Sequence, residues 1–264
     1  MKMPEEVLHG GVANAGAVIR SGQHVLRPGN PHSASIHRAL DALHAAGFEG
    51  ASRPVGIEPD GRERLEFIVG EVPLPPYPEW AQSDDVLVSI TELMKSLHDA
   101  SETIDLSGDR WSDEMADPSG GPVFCHNDVC LENVVFRDDE AVGLIDFDFA
   151  APGRRVFDLA SFARMCVPVD DEINSAKNGW VRSDRPRRLR LVADSYGLNA
   201  AGRSDLIDLL AASIAKGGEF MLRHVEAGEP GFVTMWNQMG GMERFDRRRG
   251  WWATARAAFE DALS

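Results

Sequence analysis

The sequence of 264 residues is poor in cysteine and has no long apolar run. Cys125, Cys130 and Cys166 cannot all pair within one chain, and their spacing does not suggest a disulfide framework, so we expect a reducing, cytoplasmic compartment. No run of about 18 apolar residues is available for a membrane span, and residues 1–11 lack the apolar core of a signal peptide. We therefore predict no membrane partner.

Basic residues are also scarce. Lysine and arginine number 27 against 42 acidic residues, which gives a formal net charge of -15, and only four of the basic residues are lysines. This balance argues against binding to nucleic acid and favours a neutral or cationic partner. We predict a small-molecule partner, no nucleic-acid partner, and a monomer or homodimer.

Short apolar runs separated by glycines predict an antiparallel sheet at the start of the chain. The predicted elements there are strands 7–9, 17–20, 24–27, 53–57 and 64–69, with one helix at 32–46. Four prolines at 73–78 favour a stiff connection, so we place a domain boundary near residue 72. Beyond it, apolar periodicity predicts helices at 86–100, 157–165, 187–196, 204–227 and 245–263. The predicted fold class is α+β, with lobes 1–72 and 73–264.

The most informative segment, residues 125–148, reads CHNDVCLENVVFRDDEAVGLIDFD. Strands at 134–136 and 142–145 with a loop at 138–141 predict a hairpin in which residue 135 lies opposite 144. Asn133 and Asp146 would then lie opposite each other, about 5 Å apart in the backbone. Amide and carboxylate oxygens are hard ligands that suit Mg²⁺. Asp128, five residues before Asn133, is left free to face a substrate hydroxyl.

His126, Asp128 and Asn133 form H-x-D-x-x-x-x-N, which resembles the catalytic loop of the protein kinases. The later Ile145-Asp-Phe-Asp148 is more similar to the aminoglycoside phosphotransferase and choline kinase-like family, which phosphorylates small molecules. Segments 67–73, 97–101 and 151–160 extend this resemblance. It implies a two-lobed, protein-kinase-like fold, with a small antiparallel nucleotide-binding lobe and a larger, mainly helical lobe that contains the catalytic hairpin and binds the acceptor.

The resemblance also implies roles for individual residues. Asp128 would position the acceptor hydroxyl and take its proton, and Asn133 and Asp146 would hold Mg²⁺ for a donor that is ATP or GTP. Asp148, two residues after Asp146 on an alternating strand, is predicted to point the same way. His126 is expected to order the loop, and Asp158 to cap a helix and brace the loop.

Donor-binding residues are predicted in the first lobe. The loop with Gly10, Gly11 and Gly16 lies between two strands and can bring backbone amides against phosphates, although it has neither a Walker pattern nor a dinucleotide fingerprint. By resemblance, residues 67–71 form the hinge between the lobes, whose backbone, including Val69 and Glu71, would bond the adenine edge.

Arg27 ends the third predicted strand, where the resembling families carry a lysine that pairs with a helix glutamate. Both expected residues are missing here. Arginine still offers a forked donor for phosphate, and His37 or Asp41 on the following helix are the candidates for orienting it.

These patterns predict an enzyme that transfers the γ-phosphoryl group of ATP or GTP to a hydroxyl of a small molecule. An amine-bearing acceptor, aminoglycoside-like or choline-like, fits the acidic balance. The missing lysine and helix glutamate motivate an alternative, a catalytically weak or silent kinase-like binding module. A second alternative, an aspartyl-phosphate hydrolase suggested by Asp146 and Asp148, is disfavoured because the required later lysine and acidic pair occur in the reverse order.

Overall fold

The computed structural model describes residues 5–8 and 16–264. Its first part is a five-stranded antiparallel sheet of order β1-β2-β3-β5-β4 with one helix. The elements are β1 (Glu5–Val7), β2 (Ile19–Ser21), β3 (His24–Pro28), α1 (Ser33–Ala45), β4 (Pro54–Ile57) and β5 (Arg62–Glu66). This confirms the predicted small sheet lobe. The first strand begins two residues earlier than predicted, and residues 67–69 lie outside β5.

Helix α1 buries the apolar side that its sequence spacing predicts. Ile36, Ala39, Leu40 and Leu43 are all buried and belong to the main hydrophobic core. Gly47 follows the helix with φ +90°, a left-handed conformation that glycine adopts at little steric cost. The predicted stop signal therefore ends the helix and turns the chain toward β4.

The segment between β5 and α2 (Asp84–Ser101) carries the prolines. Ser83 caps α2, because its Oγ accepts the backbone N–H of Val86 at 3.1 Å. Asp84 and Asp85 in the first turn lie near the positive end of the helix dipole. The domain boundary predicted near residue 72 falls within this segment and stays a prediction.

The second part is mainly helical, as predicted, with two small two-stranded sheets, β6 with β9 and β7 with β8. Its elements are β6 (Val123–Cys125), β7 (Val134–Arg137), β8 (Glu140–Leu144), β9 (Ala151–Gly153), α3 (Arg155–Cys166), α4 (Glu172–Lys177), α5 (Arg185–Tyr196), α6 (Ala200–Glu226), α7 (Pro230–Met239) and α8 (Gly241–Leu263). Strands β6 and β9 were not predicted, because three residues are too few to show a period. Across the described ranges 5–8 and 16–264, no helix is both long and apolar enough to cross a membrane.

The β7–β8 hairpin differs from its predicted register by one residue. Val134 pairs with Leu144 and Val135 with Gly143, whereas 135 was expected opposite 144. The turn consists only of Asp138 and Asp139, both with positive φ, as in the tight turns that join antiparallel strands. A bulge between residues 135 and 136 then shifts the pairing by one residue in the opposite sense. The tight turn and the bulge together set the observed register.

The backbone of the hairpin is hydrogen-bonded to the first lobe at two places. Glu71 and Phe136 exchange both backbone hydrogen bonds, each 2.8 Å long, and the Leu144 N–H donates to the Gly50 carbonyl at 2.9 Å. Gly70 makes the first contact possible, since a Cβ there would lie 2.4 Å from the Phe136 carbonyl oxygen. The β7–β8 hairpin thus packs directly against the small lobe.

Candidate active site

Asp158 in the first turn of α3 braces the loop that follows β6. Its carboxylate accepts the backbone N–H groups of His126 at 2.8 Å and Asn127 at 2.7 Å, and it lies 3.0 Å from the His98 ring. Burial raises the pKa of this carboxyl, but His98 and the His126 contacts outweigh it, so the pKa lies below its usual value. The predicted bracing contact is present. The predicted helix cap is wrong, because α3 begins three residues earlier at Arg155.

His126 connects this loop to the end of β8. Its Nε2 lies 2.9 Å from the Ile145 carbonyl oxygen, and its Nδ1 lies 3.3 Å from the Asp128 amide nitrogen. Burial lowers the pKa of the imidazole, which favours the neutral ring. In the matching tautomer Nε2–H donates to Ile145 and Nδ1 accepts from Asp128. Both nitrogens are engaged, so the ring orders the loop.

Asp128 and Asn133 are in direct contact. The chain between them ends in a single 3₁₀ turn, Leu131–Asn133, which folds the amide back over the loop. Asn133 Nδ2 donates to the Asp128 carbonyl oxygen at 2.9 Å and to its carboxylate Oδ2 at 3.2 Å. The two residues that the sequence separates by five positions therefore share one site.

The Asp128 carboxyl is in an environment that favours its neutral form. Burial raises its pKa to about 7, and the nearby carboxylates of Asp146 and Glu132 act in the same direction, while Arg164 and the Asn133 hydrogen bond lower it. A carboxylate with a pKa near neutrality is suited to accept a proton from a substrate hydroxyl.

Arg164 of α3 is a site residue that the sequence analysis missed. Its Nε donates to Ser213 Oγ at 3.0 Å, and a Cβ at Gly217 would lie 3.0 Å from its Nη1, so α6 leaves room for the guanidinium. Burial lowers the pKa of Arg164 and the Asp128 charge raises it. The sequence did contain one indication of this role, because Arg164 lies within a mainly apolar predicted helix. The structure shows that this helix is part of the core, where Leu159 is fully buried.

Arg27 of β3 meets three carboxylates. Its Nη1 donates to Asp146 Oδ1 at 2.8 Å, its Nη2 donates to Asp148 Oδ1, and its Nε lies 2.7 Å from Glu63 Oε2. The residue is only 8% exposed. One guanidinium against three carboxylates leaves an excess of two negative charges. The structure therefore brings the predicted cation and the predicted metal ligand together across the two lobes.

The backbone after β8 turns sharply instead of continuing as a strand. Asp146 has φ 65° and ψ 62°, and residues Phe147–Phe149 form a 3₁₀ turn. The prediction that Asp146 and Asp148 alternate along one strand is therefore wrong. The tight turn nevertheless directs both carboxylates to Arg27, and Asn30 Nδ2 also donates to Asp148 Oδ1 at 2.8 Å.

The donor set around Asp146 fits a divalent cation. Asn133 turns its amide nitrogen to Asp128, which leaves its oxygen available as a ligand. Asp146 uses Oδ1 for Arg27, and its side chain is 34% exposed, which leaves Oδ2 accessible. With the local excess of negative charge, these two oxygens meet the preference of Mg²⁺ for hard ligands.

The other predicted donor-binding residues lie apart from these contacts. Gly16 is in an exposed turn before β2 with φ +77°, and Gly10 and Gly11 lie outside the described residues. The Val69 carbonyl accepts from the Arg137 guanidinium at 3.0 Å. Both backbone groups of Glu71 bond to β7, so Glu71 has no free hinge group for an adenine edge. Within ranges 5–8 and 16–264, the Val69 N–H has no partner.

The two lobes, the half-buried loop aspartate and the acids after the hairpin define a kinase-like phosphotransferase fold. The sequence matches the Phosphotransferase enzyme family (APH) over residues 20–192, and the chain belongs to this family. The resemblance stated from the motifs is confirmed.

Individual relatives agree with this assignment. The chain is 33% identical over 199 residues to the trifolitoxin immunity protein of Rhizobium leguminosarum bv. trifolii, covering 73% of this chain and 75% of that protein. It is 31% identical over 180 residues to a homoserine kinase of Methylobacterium nodulans, covering 65% of this chain but only 49% of the kinase. The amicoumacin kinase hAmiN, solved with AMP-PNP, Ca²⁺ and its ligand Ami, superposes with a TM-score of 0.65 at 10% identity, covering 93% of this chain and 88% of that one.

Proposed function

We propose that the protein transfers the γ-phosphoryl group of ATP or GTP to a hydroxyl of a small molecule. The observation that carries the proposal is the Asp128 site. A carboxyl whose burial raises its pKa to about 7 contacts Asn133, next to an acidic cluster with two unbalanced negative charges. In this proposal Asp128 accepts the proton of the hydroxyl as its oxygen attacks phosphorus, and the nucleoside diphosphate leaves.

On the donor side, Arg27 is proposed to contact the phosphates. Two of its nitrogens face Asp146 and Asp148, at the boundary between the lobes, where a phosphate oxygen can share the same fork. The Val69 N–H is the proposed contact to the base, and Gly16 belongs to the proposed phosphate loop. Glu71 is not retained as a base contact because its backbone is engaged.

Asn133 and Asp146 are the residues that would hold Mg²⁺. Held by these two oxygens, Mg²⁺ would supply positive charge against the negative charge of the donor phosphates. The protein's own contribution is to fix both oxygens, since Asn133 is held by Asp128 and Asp146 by Arg27.

The acceptor is proposed to be an alcohol that also bears an amine. The formal charge of -15 favours such a ligand. One relative is a kinase of homoserine, which is an amino acid with a free hydroxyl. The names of the other relatives point to antibiotic or toxin chemistry, so the acceptor test includes both groups.

The test is a transfer assay with Mg²⁺ and either ATP or GTP over homoserine, ethanolamine, choline and aminoglycosides, with the phosphorylated product detected by mass spectrometry. Asp128→Ala is expected to abolish transfer and retain nucleotide binding in calorimetry. Asp139→Asn, an exposed turn carboxylate, is the matched control and should keep wild-type turnover. Comparable transfer by Asp128→Ala would refute the role of Asp128. Nucleotide binding without transfer to any acceptor would favour the alternative binding module.

A further inference from the structure

We infer that Glu63 and His37 are positioning residues for Arg27, so that a carboxylate on a strand does the work expected of a helix glutamate. The inference rests on the proposed function, in which Arg27 contacts the donor phosphates. It explains how the chain dispenses with both the usual lysine and its usual helix partner.

Sheet register places Glu63 beside Arg27. The two residues are directly opposite each other on the antiparallel strands β3 and β5, so their side chains lie on the same side of the sheet. Glu63 is 2% exposed, and its Oε2 lies 2.7 Å from Arg27 Nε. The Nε–H does not point at the oxygen, so the contact is an ion pair. A carboxylate buried this deeply needs a cationic partner, because an unpaired buried charge is costly.

Helix α1 supports Glu63 instead of Arg27. His37 Nε2 lies 3.6 Å from Glu63 Oε1, and His37 is buried. Burial raises the pKa of Glu63, but His37, Arg27 and Ser33 together outweigh it, so the pKa lies below its usual value. Asp41, the other residue expected to orient Arg27, is exposed, and that expectation is wrong.

The arrangement assigns different tasks to the two ends of the guanidinium. Glu63 holds the Nε side from within the small lobe, while Nη1 and Nη2 reach Asp146 and Asp148 of the other lobe. Without Glu63, only the two aspartates would bind the Arg27 guanidinium. They would pull the guanidinium away from the small lobe and toward Asp146 and Asp148. Glu63 thus keeps the fork at the position where donor phosphates are proposed to lie.

The test compares Glu63→Gln with Glu58→Gln. Glu58 pairs with Arg64 of β5 at 2.6 Å, both side chains being 29% exposed, so the control removes a similar ion pair outside the site. The thermal midpoint is measured first to confirm folding. Glu63→Gln should raise the donor KM by about tenfold, with a smaller change in kcat, and Glu58→Gln should leave both within twofold. An unchanged donor KM in folded Glu63→Gln would overturn the inference.

Two double variants test whether a carboxylate positions the Arg27 side chain or only stabilises the fold. Adding His37→Glu to Glu63→Gln puts a carboxylate on helix α1, and it should recover at least part of the donor affinity by providing Arg27 with a partner again. His37→Gln in the same background has no charge and should recover none. Equal behaviour of these two double variants would contradict an electrostatic role for the carboxylate.

Crystal structures separate this inference from the proposed function. In Glu63→Gln the Arg27 side chain should leave its wild-type position, and in Glu58→Gln it should not. A wild-type protein that neither binds nucleotide nor transfers phosphate would refute the proposed function, yet the Arg27 displacement would still test positioning. An Arg27 that stays in place without Glu63 would refute the positioning role even if transfer is confirmed.

Discussion

Replacing Asp128 by asparagine should make the protein more stable at pH 8 while abolishing activity. Burial raises the pKa of the Asp128 carboxyl from 3.8 to about 7 in the folded protein. Between these values the folded state binds a proton that the unfolded state has lost. The raised pKa therefore stabilises the fold at low pH, and this contribution disappears as the pH rises through 7. Asparagine keeps the shape and does not titrate.

The size of the effect follows from the pKa shift. From pH 5 to the folded-state pKa of about 7 is a span of two pH units. At about 1.4 kcal/mol per unit, the variant should gain roughly 3 kcal/mol over the wild type between pH 5 and pH 8. The ionised Asp128 carboxylate thus destabilises the folded protein, and the proposed catalytic role requires this ionised form.

Urea unfolding of wild type and Asp128→Asn at both pH values measures this difference directly. Asp139→Asn is the control, since it removes an exposed carboxylate from a left-handed position that asparagine also tolerates. The control should show no gain that depends on pH. If Asp128→Asn and wild type change in parallel between pH 5 and pH 8, Asp128 does not have a raised pKa and the proton-acceptor argument fails.

Two further predictions concern the elements that support the site. Asp158→Ala removes the acceptor of two loop N–H groups and the partner of His98. It should lower the free energy of unfolding, measured in urea, by roughly 3 to 5 kcal/mol. A loss below about 1 kcal/mol would contradict the bracing role. Gly70→Ala places a Cβ 2.4 Å from the Phe136 carbonyl oxygen and should cost about 1 to 3 kcal/mol. Hydrogen exchange at the Phe136 amide should then accelerate, whereas unchanged protection would show that the contact adapts without strain.

The sequence predicted the hairpin and its acidic end because those features are local. The strand-turn-strand pattern lies within 19 residues, together with Asp128, Asn133 and Asp146. Over so short a segment, local backbone geometry decides which residues lie close together. The exact register was not predictable, because the two-residue turn shifts the pairing by two residues from the expected register and the bulge shifts it back by one. The left-handed backbone of Asp146 was also invisible, since aspartate gives no reliable signal for that conformation.

Residues contributed by distant elements were missed for a different reason. Glu63 reaches Arg27 only because β5 pairs with β3, whereas β4, which precedes β5 in sequence, takes the edge position. The charge of Arg164 on α3 lowers the Asp128 pKa, and the position of Arg164 depends on how α3 packs against α6. Such contacts follow from tertiary packing, which periodicity within one segment does not encode.

The two backbone links between the hairpin and the small lobe limit how far these two parts can move apart. A rotation of the sheet about the proline-rich segment would have to break the paired bonds of Glu71 and Phe136 and the bond from Leu144 to Gly50. The sheet that carries Arg27 and the β7–β8 hairpin that leads to Asp146 are consequently held in a fixed relative position. Arg27 and the end of β8 should therefore move together when the small lobe moves, and their ion pair should be kept.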